Sequence, residues 1–224
     1  MRRLRQMLTF LALSASAGLL WHETRALRVA SRPSAASFDP ALHRLGAAET
    51  AALPLASRFD HPLGSEHGAL TYNARPFRVA RHLGDDLNGI GGGNSDLGDP
   101  VHAIADGCVV YAGSPGPGWG KMLILAHRVP ADDPVEPPRV IQSVYAHLQD
   151  ILAELGARVR RGQRIATVGS AEGQYLAHLH FEIREGPYIN PGTGYADTPL
   201  NRVSPEAFIF QHRGAPAHQL NPPP

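Results

Sequence analysis

Three short stretches of this 224-residue chain carry residue types able to do metal or acid-base chemistry. The densest is Ala177-His178-Leu179-His180-Phe181-Glu182-Ile183, in which polar and apolar residues alternate strictly. Period two is the strand signature, so His178, His180 and Glu182 share one face while Leu179, Phe181 and Ile183 share the other. Two imidazoles so placed could bind one metal together, or one could bind it while the other works on a bound water as acid or base. Glu182 is placed either to orient a histidine or to lie exposed at a sheet edge.

The second stretch is Arg81-His82-Leu83-Gly84-Asp85-Asp86-Leu87-Asn88-Gly89, with His82 and Asp86 in H-x-x-x-D spacing. A helix would put the pair on one side, but the Gly-rich run at 89–93 disfavours a helix, so they must converge from a bent strand or loop. One imidazole nitrogen and one carboxylate oxygen suit zinc, and a second imidazole from elsewhere would complete a three-ligand site with an open position. The glycine run is no phosphate cradle, because no Gly-Lys-Ser/Thr follows it. The third stretch, Ser143-Val144-Tyr145-Ala146-His147-Leu148, reads as a strand ending in a histidine. Taken singly, His147 and also His127 are as readily structural as catalytic.

The elements that must position these residues are short β-branched runs punctuated by Gly, Pro and Asp. Residues 101–104, 108–112, 122–126, 140–146, 164–168 and 178–184 read as strands, with Asp106-Gly107 and Arg161-Gly162 as turns. The one persuasive helix is the turn or so at 149–155. The chemistry therefore sits on an all-β, mainly antiparallel domain.

Composition narrows the class. The balance of 21 basic and 20 acidic residues includes Arg2, Arg3 and Arg5 at the extreme N-terminus; without these three the chain is acidic by two. No basic field is left for nucleic acid or an acidic membrane surface. A basic start followed by an apolar run at 7–21 reads as an export signal with Ala15-Ser16-Ala17 as a cleavage site, or as an uncleaved anchor giving transient membrane association. Either way the remainder is exported, to the periplasm or cell envelope. Cys108 is the only cysteine, so no internal disulfide forms, and its strand setting suggests a buried, inert thiol. Residues 22–70 are rich in Ala, Ser, Pro and Arg without sustained period and read as a linker or N-terminal extension, with a short helix at 41–53 as one option. The β domain is expected at 71–212 and a Pro- and Ala-rich disordered tail at 213–224.

Residues 82 to 183 resemble the lysostaphin-type, or M23, zinc metallopeptidases that cut the peptide part of bacterial peptidoglycan. The resemblance runs through His82-x-Gly84-x-Asp86, Gly98-Asp99-Pro100-Val101, Ala105-Asp106-Gly107, Tyr145-Ala146-His147-Leu148 and Gly156-Ala157-Arg158-Val159-Arg160-Arg161-Gly162-Gln163. It ends with Val168-Gly169-Ser170 and His178-Leu179-His180-Phe181-Glu182. It implies a lysostaphin-like domain of the duplicated hybrid-motif, barrel-sandwich kind, with a groove walled by loops. It also implies zinc held by His82, Asp86 and His180, and a metal-activated water flanked by His147 and His178. The implied partners are peptidoglycan stem peptides.

Three departures concern the groove: the bulkier approach at 172–177, His102 where relatives often carry an aromatic residue, and a proline-rich insertion at 130–138. The expected bond is the D-alanyl to diaminopimelate cross-link rather than a glycine bridge, since no appended wall-binding domain is recognisable. An alternative is an inactive relative that activates a separate cell-wall hydrolase. Such relatives typically lack ligands or catalytic histidines, and all five are in place here. The stretch at 156–168 also resembles a lipoyl-type carrier, but the only lysine is Lys121 and none follows Gln163.

Overall fold

The computed structural model describes residues 43–131 and 135–214. The export-signal reading at 1–21 and most of the tail lie outside the described residues. The chain begins with β1 (His43–Arg44) and a short helix α1 (Ala47–Ala52), then reaches β2 (Thr71–Arg75) and β3 (Asp85–Gly89). There follow β4 (Pro100–His102), β5 (Gly107–Gly113), β6 (Lys121–Val129) and β7 (Arg139–Leu148). Next come the short strands β8 (Asp150–Ile151), β9 (Arg158–Val159) and β10 (Arg164–Thr167), then β11 (Leu179–Glu185). The last elements are β12 (Tyr188–Ile189), β13 (Arg202–Val203) and helix α2 (Pro205–His212), capped by Ser204, whose hydroxyl accepts from Ala207 N–H.

The main sheet runs β2-β3-β11-β7-β6-β5-β9, with β13 also on β11; β4-β10-β8 and β1-β12 form two small sheets. Every strand pairing is antiparallel. The expected all-β, mainly antiparallel architecture is therefore the one observed, and each of the six strand readings falls on a strand.

Both faces of the main sheet are covered. On β6, Leu123 and Leu125 enter the larger core with Tyr145, Phe181 and Ile183, whereas Met122, Ile124 and Ala126 enter a second core with Val144 and Ala146. This is period-two alternation with apolar groups on both sides, as a central strand requires.

Two expectations need correction. Residues 43–70 are not a linker: Leu45 and Leu53 close the second core, and Ala56, Phe59 and Leu63 belong to the first. The Phe59 ring is fully buried, 5.0 Å edge-on to Phe208 and 5.6 Å from His127. Residues 149–155 are not helical. Gln149 N–H donates to Thr167 O and Leu152 N–H to Ile165 O, so the backbone pairs with β10 instead of with itself. Leu152 and Leu155 stay exposed, leaving no apolar face to hold a helix.

A chain begun at residue 71 should fail to fold cooperatively. In the full chain, Phe59→Ala should lower the unfolding free energy by about 3–5 kcal/mol, read by thermal or denaturant melting.

Candidate metal centre

Strand β11 lies between β3 and β7, and its register sets His180 across from Asp86 on one side and Ala146 on the other. His82 arrives from the turn before β3 and forms an isolated antiparallel bridge with Tyr195. Gly84, between the two candidate ligands, is required for this approach: a Cβ there would stand 2.5 Å from Phe181 O. The three sequence-distant groups thus converge. His82 Nε2 is 2.9 Å from His180 Nδ1 and 3.1 Å from Asp86 Oδ1, and His180 Nδ1 is 3.1 Å from the same oxygen. All three side chains are buried.

The outer atoms of both rings decide which nitrogen faces the cluster. His82 Nδ1 lies 3.2 Å from Arg75 O, and a carbonyl only accepts, so Nδ1 carries the hydrogen and Nε2 is left bare. His180 Nε2 lies 3.0 Å from Glu182 Oε1 and donates to it, so Nδ1 faces the cluster, where it bonds Asp86 while protonated and offers a lone pair once that proton is displaced. Two imidazole lone pairs and one carboxylate oxygen therefore meet at one point, the donor set of a three-ligand site for an ion such as zinc.

Glu182 is fully buried, which selects the orienting role over exposure at a sheet edge. Its Oε2 accepts from Arg184 Nε at 2.6 Å and Arg202 Nε at 3.2 Å. Burial alone would raise the Glu182 carboxyl, but the Arg184 guanidinium and the His180 bond hold it well below the usual range. Burial would raise Asp86 likewise, and the His180 and His82 rings beside it outweigh that and hold it well below the usual range. For His180 burial works downward, yet the bonds to Asp86 and Glu182 raise its pKa to about 9.

His147 and His178 stand beside this cluster. The His147 ring is 4.7 Å from His178 and 5.5 Å from His180. It occupies a left-handed backbone position (φ 61°) where the β6-β7 register shifts, a bulge that re-aims its side chain. Its Nδ1 donates to Trp119 O at 3.2 Å, leaving Nε2 an acceptor, and burial with the neighbouring His180 and His178 lowers its pKa to about 3. His178 donates from Nδ1 to Leu176 O at 2.8 Å, and its Nε2 is 3.7 Å from Asp86 Oδ1.

These groups line an open cleft of about 410 Å³ whose walls include Arg75, Trp119, Tyr175 and Tyr195. The remaining histidine candidate is structural: His127 is buried, bonded to Asp106 O and Ser143 Oγ, and lowered to about 4 by burial. Cys108 is half-buried, and burial raises its thiol, so it is no nucleophile. The Gly-rich stretch acts as a brace. Asn94 Oδ1 accepts from Ala177 N–H at 2.8 Å and Asn88 Nδ2 donates to Ala177 O at 3.1 Å, fixing the peptide just before His178. Sequence reasoning passed over this brace, and over Arg75, Trp119 and Tyr195. A tryptophan in Gly-Pro-Gly-Trp-Gly and asparagines inside a glycine run were the available signals.

Residues 88–191 match the sequence profile of peptidase family M23. The lipoprotein NlpD of Yersinia enterocolitica is 40% identical over 95 residues, which cover 42% of this chain and 87% of that protein. The chain belongs to peptidase family M23. The matched stretch contains His147, His178 and His180, while His82 and Asp86 lie just ahead of it. The murein hydrolase activator NlpD of Escherichia coli K12 is 39% identical over 107 residues, 45% of this chain and 25% of that one. The murein hydrolase activator EnvC of the same organism is 38% identical over 95 residues, 42% and 20% of the two chains. The M23 chain thus spans a quarter or less of those activators. Among solved structures, a zinc-containing peptidase from Vibrio cholerae is 25% identical, with 60% and 39% of the chains covered and a TM-score of 0.46, a likeness that carries no weight of its own.

Because His180 holds its proton up to about pH 9 without metal, an incoming ion must displace it. Apparent zinc affinity should rise with pH below about 9, by roughly tenfold per unit, and calorimetry in two buffers at pH 7 should show about one proton released per ion. Glu182→Gln should weaken zinc binding about 10–100-fold, read by competition with a chelator.

Proposed function

We propose that this M23 chain is an exported zinc metallopeptidase that hydrolyses peptide cross-links of bacterial peptidoglycan. The observation that carries the reading is the convergence of His82, Asp86 and His180, of which Asp86 and His180 open into the same cleft as His147 and His178. His82, Asp86 and His180 would hold the ion, which when bound supplies Lewis acidity toward a carbonyl and a water acidic enough to react at neutral pH.

The chain's own residues do the rest. His147, neutral at pH 7 with Nε2 free, accepts a proton from the attacking water. His178, anchored through Nδ1, presents Nε2 beside Asp86, where in its protonated form it can donate to the developing oxyanion, while the proton that His147 takes from the water passes to the leaving amine. Trp119, Tyr175 and Tyr195 hold an extended peptide against the cleft wall.

The names of the relatives favour a second reading, activation of a separate murein hydrolase, in which the cleft binds without cutting. An envelope location fits both readings. Purified, zinc-loaded protein incubated with diaminopimelate-type sacculi should release uncross-linked muropeptides, detected by mass analysis. His147→Ala and His178→Ala should keep zinc and lose this activity by about 100-fold or more. Absence of release by the zinc-loaded wild type, with stimulation of an added murein hydrolase that survives His147→Ala, would replace the peptidase reading with the activator one.

A further inference from the structure

Apart from the metal-cluster residues and the two flanking histidines, the cleft walls are aromatic rings, Pro117, Thr193 and glycine backbone, with one exception. Among the described residues Arg75, at the end of β2, is the only lysine or arginine lining the cleft. Register places it opposite Asp86, and its Nε is 3.8 Å from Asp86 Oδ2, an ion-pair distance but too long for a hydrogen bond. Nη1 donates to the Tyr195 hydroxyl, which holds the planar group against the wall. Among the described residues Nη2 has no hydrogen-bond partner, and the side chain is 47% exposed. A guanidinium has five N–H donors in a fixed fork shaped for a carboxylate, and most of them are unspent here.

From these observations we propose that Arg75 is the specificity-determining residue of the cleft, taking a free carboxylate carried by the residue next to the scissile bond. Arg75 lines the same cleft as Asp86 and His180 and stands in ion-pair contact with Asp86, so a carboxylate taken by its fork lies close to the candidate ion site. Such a carboxylate belongs to a residue close to the cleaved peptide bond. The substrate class is a stem peptide with a free α- or side-chain carboxyl at that position. A glycine bridge, which offers none, leaves the fork unpaired, and an amidated stem peptide does the same.

This assignment rests on the peptidase reading only for its kinetic arm. The test uses the full zinc-loaded chain and two synthetic cross-linked stem peptides, identical except that the carboxyl beside the scissile bond is free in one and amidated in the other. Wild type should favour the free acid about tenfold or more in kcat/KM. Arg75→Gln should abolish the preference by slowing only the acid, with zinc content unchanged, and Arg75→Lys should restore part of it. In parallel, calorimetry with His178→Ala protein reads binding of the same pair with and without Arg75→Gln. That arm tests Arg75 even where the wild type cuts neither peptide, an outcome that would overturn the peptidase reading alone. An equal loss on both peptides, as expected for a residue that only supports Asp86, or a preference that survives Arg75→Gln in the binding arm, would overturn the proposal.

Discussion

The carboxylate of Glu182 is the charge on which the site depends. A fully buried anion is tolerated only when its partners are close and well bonded, and here one oxygen takes His180 while the other takes Arg184 and Arg202. Arg184 is itself fully buried and reaches the carbonyls of Asn190 and Pro191. Those carbonyls begin the segment that continues to Tyr195 and forms one wall of the cleft. Arg202 comes from β13, which pairs with the outer end of β11. One charge network therefore fixes the orientation of a candidate metal ligand, the seating of a strand and the position of a wall. Removing Glu182 leaves Arg184 and Arg202 without their shared counter-charge, at a cost on the order of 3–5 kcal/mol.

Two histidines whose ring centroids are 5.5 Å apart are driven to opposite protonation preferences by this arrangement. His180 has carboxylates on both ring nitrogens and keeps positive charge; His147 has a backbone carbonyl on one nitrogen, burial around the ring and that positive charge nearby. A cation in place of the His180 proton preserves the asymmetry, since the positive charge stays at the same point. The left-handed backbone at His147, a conformation that favours glycine, belongs to the same economy: local strain is accepted where a side chain must be aimed out of a sheet.

What the sequence made legible follows from periodicity and chemical type. The alternation around His180 disclosed both the strand and the face, because apolar and polar groups sort to opposite sides whatever the surroundings. The convergence of His82, Asp86 and His180 was legible through their donor chemistry and the family resemblance. Residues 43–70 escaped because their contributions to the cores are single side chains such as Phe59 and Leu63 set in irregular backbone, which carries no period. The helix expected at 149–155 lost to pairing with β10, a partner more than ten residues away that no local window registers. Arg75 escaped for a related reason: its meaning comes from the register of β2 against β3, and an arginine in a polar stretch is otherwise a solvated charge.

The two functional readings make different demands on the protein interior. A groove that only binds a partner or a peptide gains nothing from burying three ionisable side chains with their lone pairs aimed at one point, and that burial costs stability unless something compensates it. Here the compensation is elaborate: carbonyl and carboxylate acceptors on both ligand imidazoles, two arginines on Glu182, and an asparagine brace behind His178. Local rules broken together at one place, with support arranged around them, are what a reacting site requires. The similarity to activators concerns a domain that forms a quarter or less of the E. coli ones, and a cleft able to take a peptide would serve recognition as well as cleavage. Peptide capture is therefore common to both readings, and the buried donor set is the feature that only the catalytic one uses.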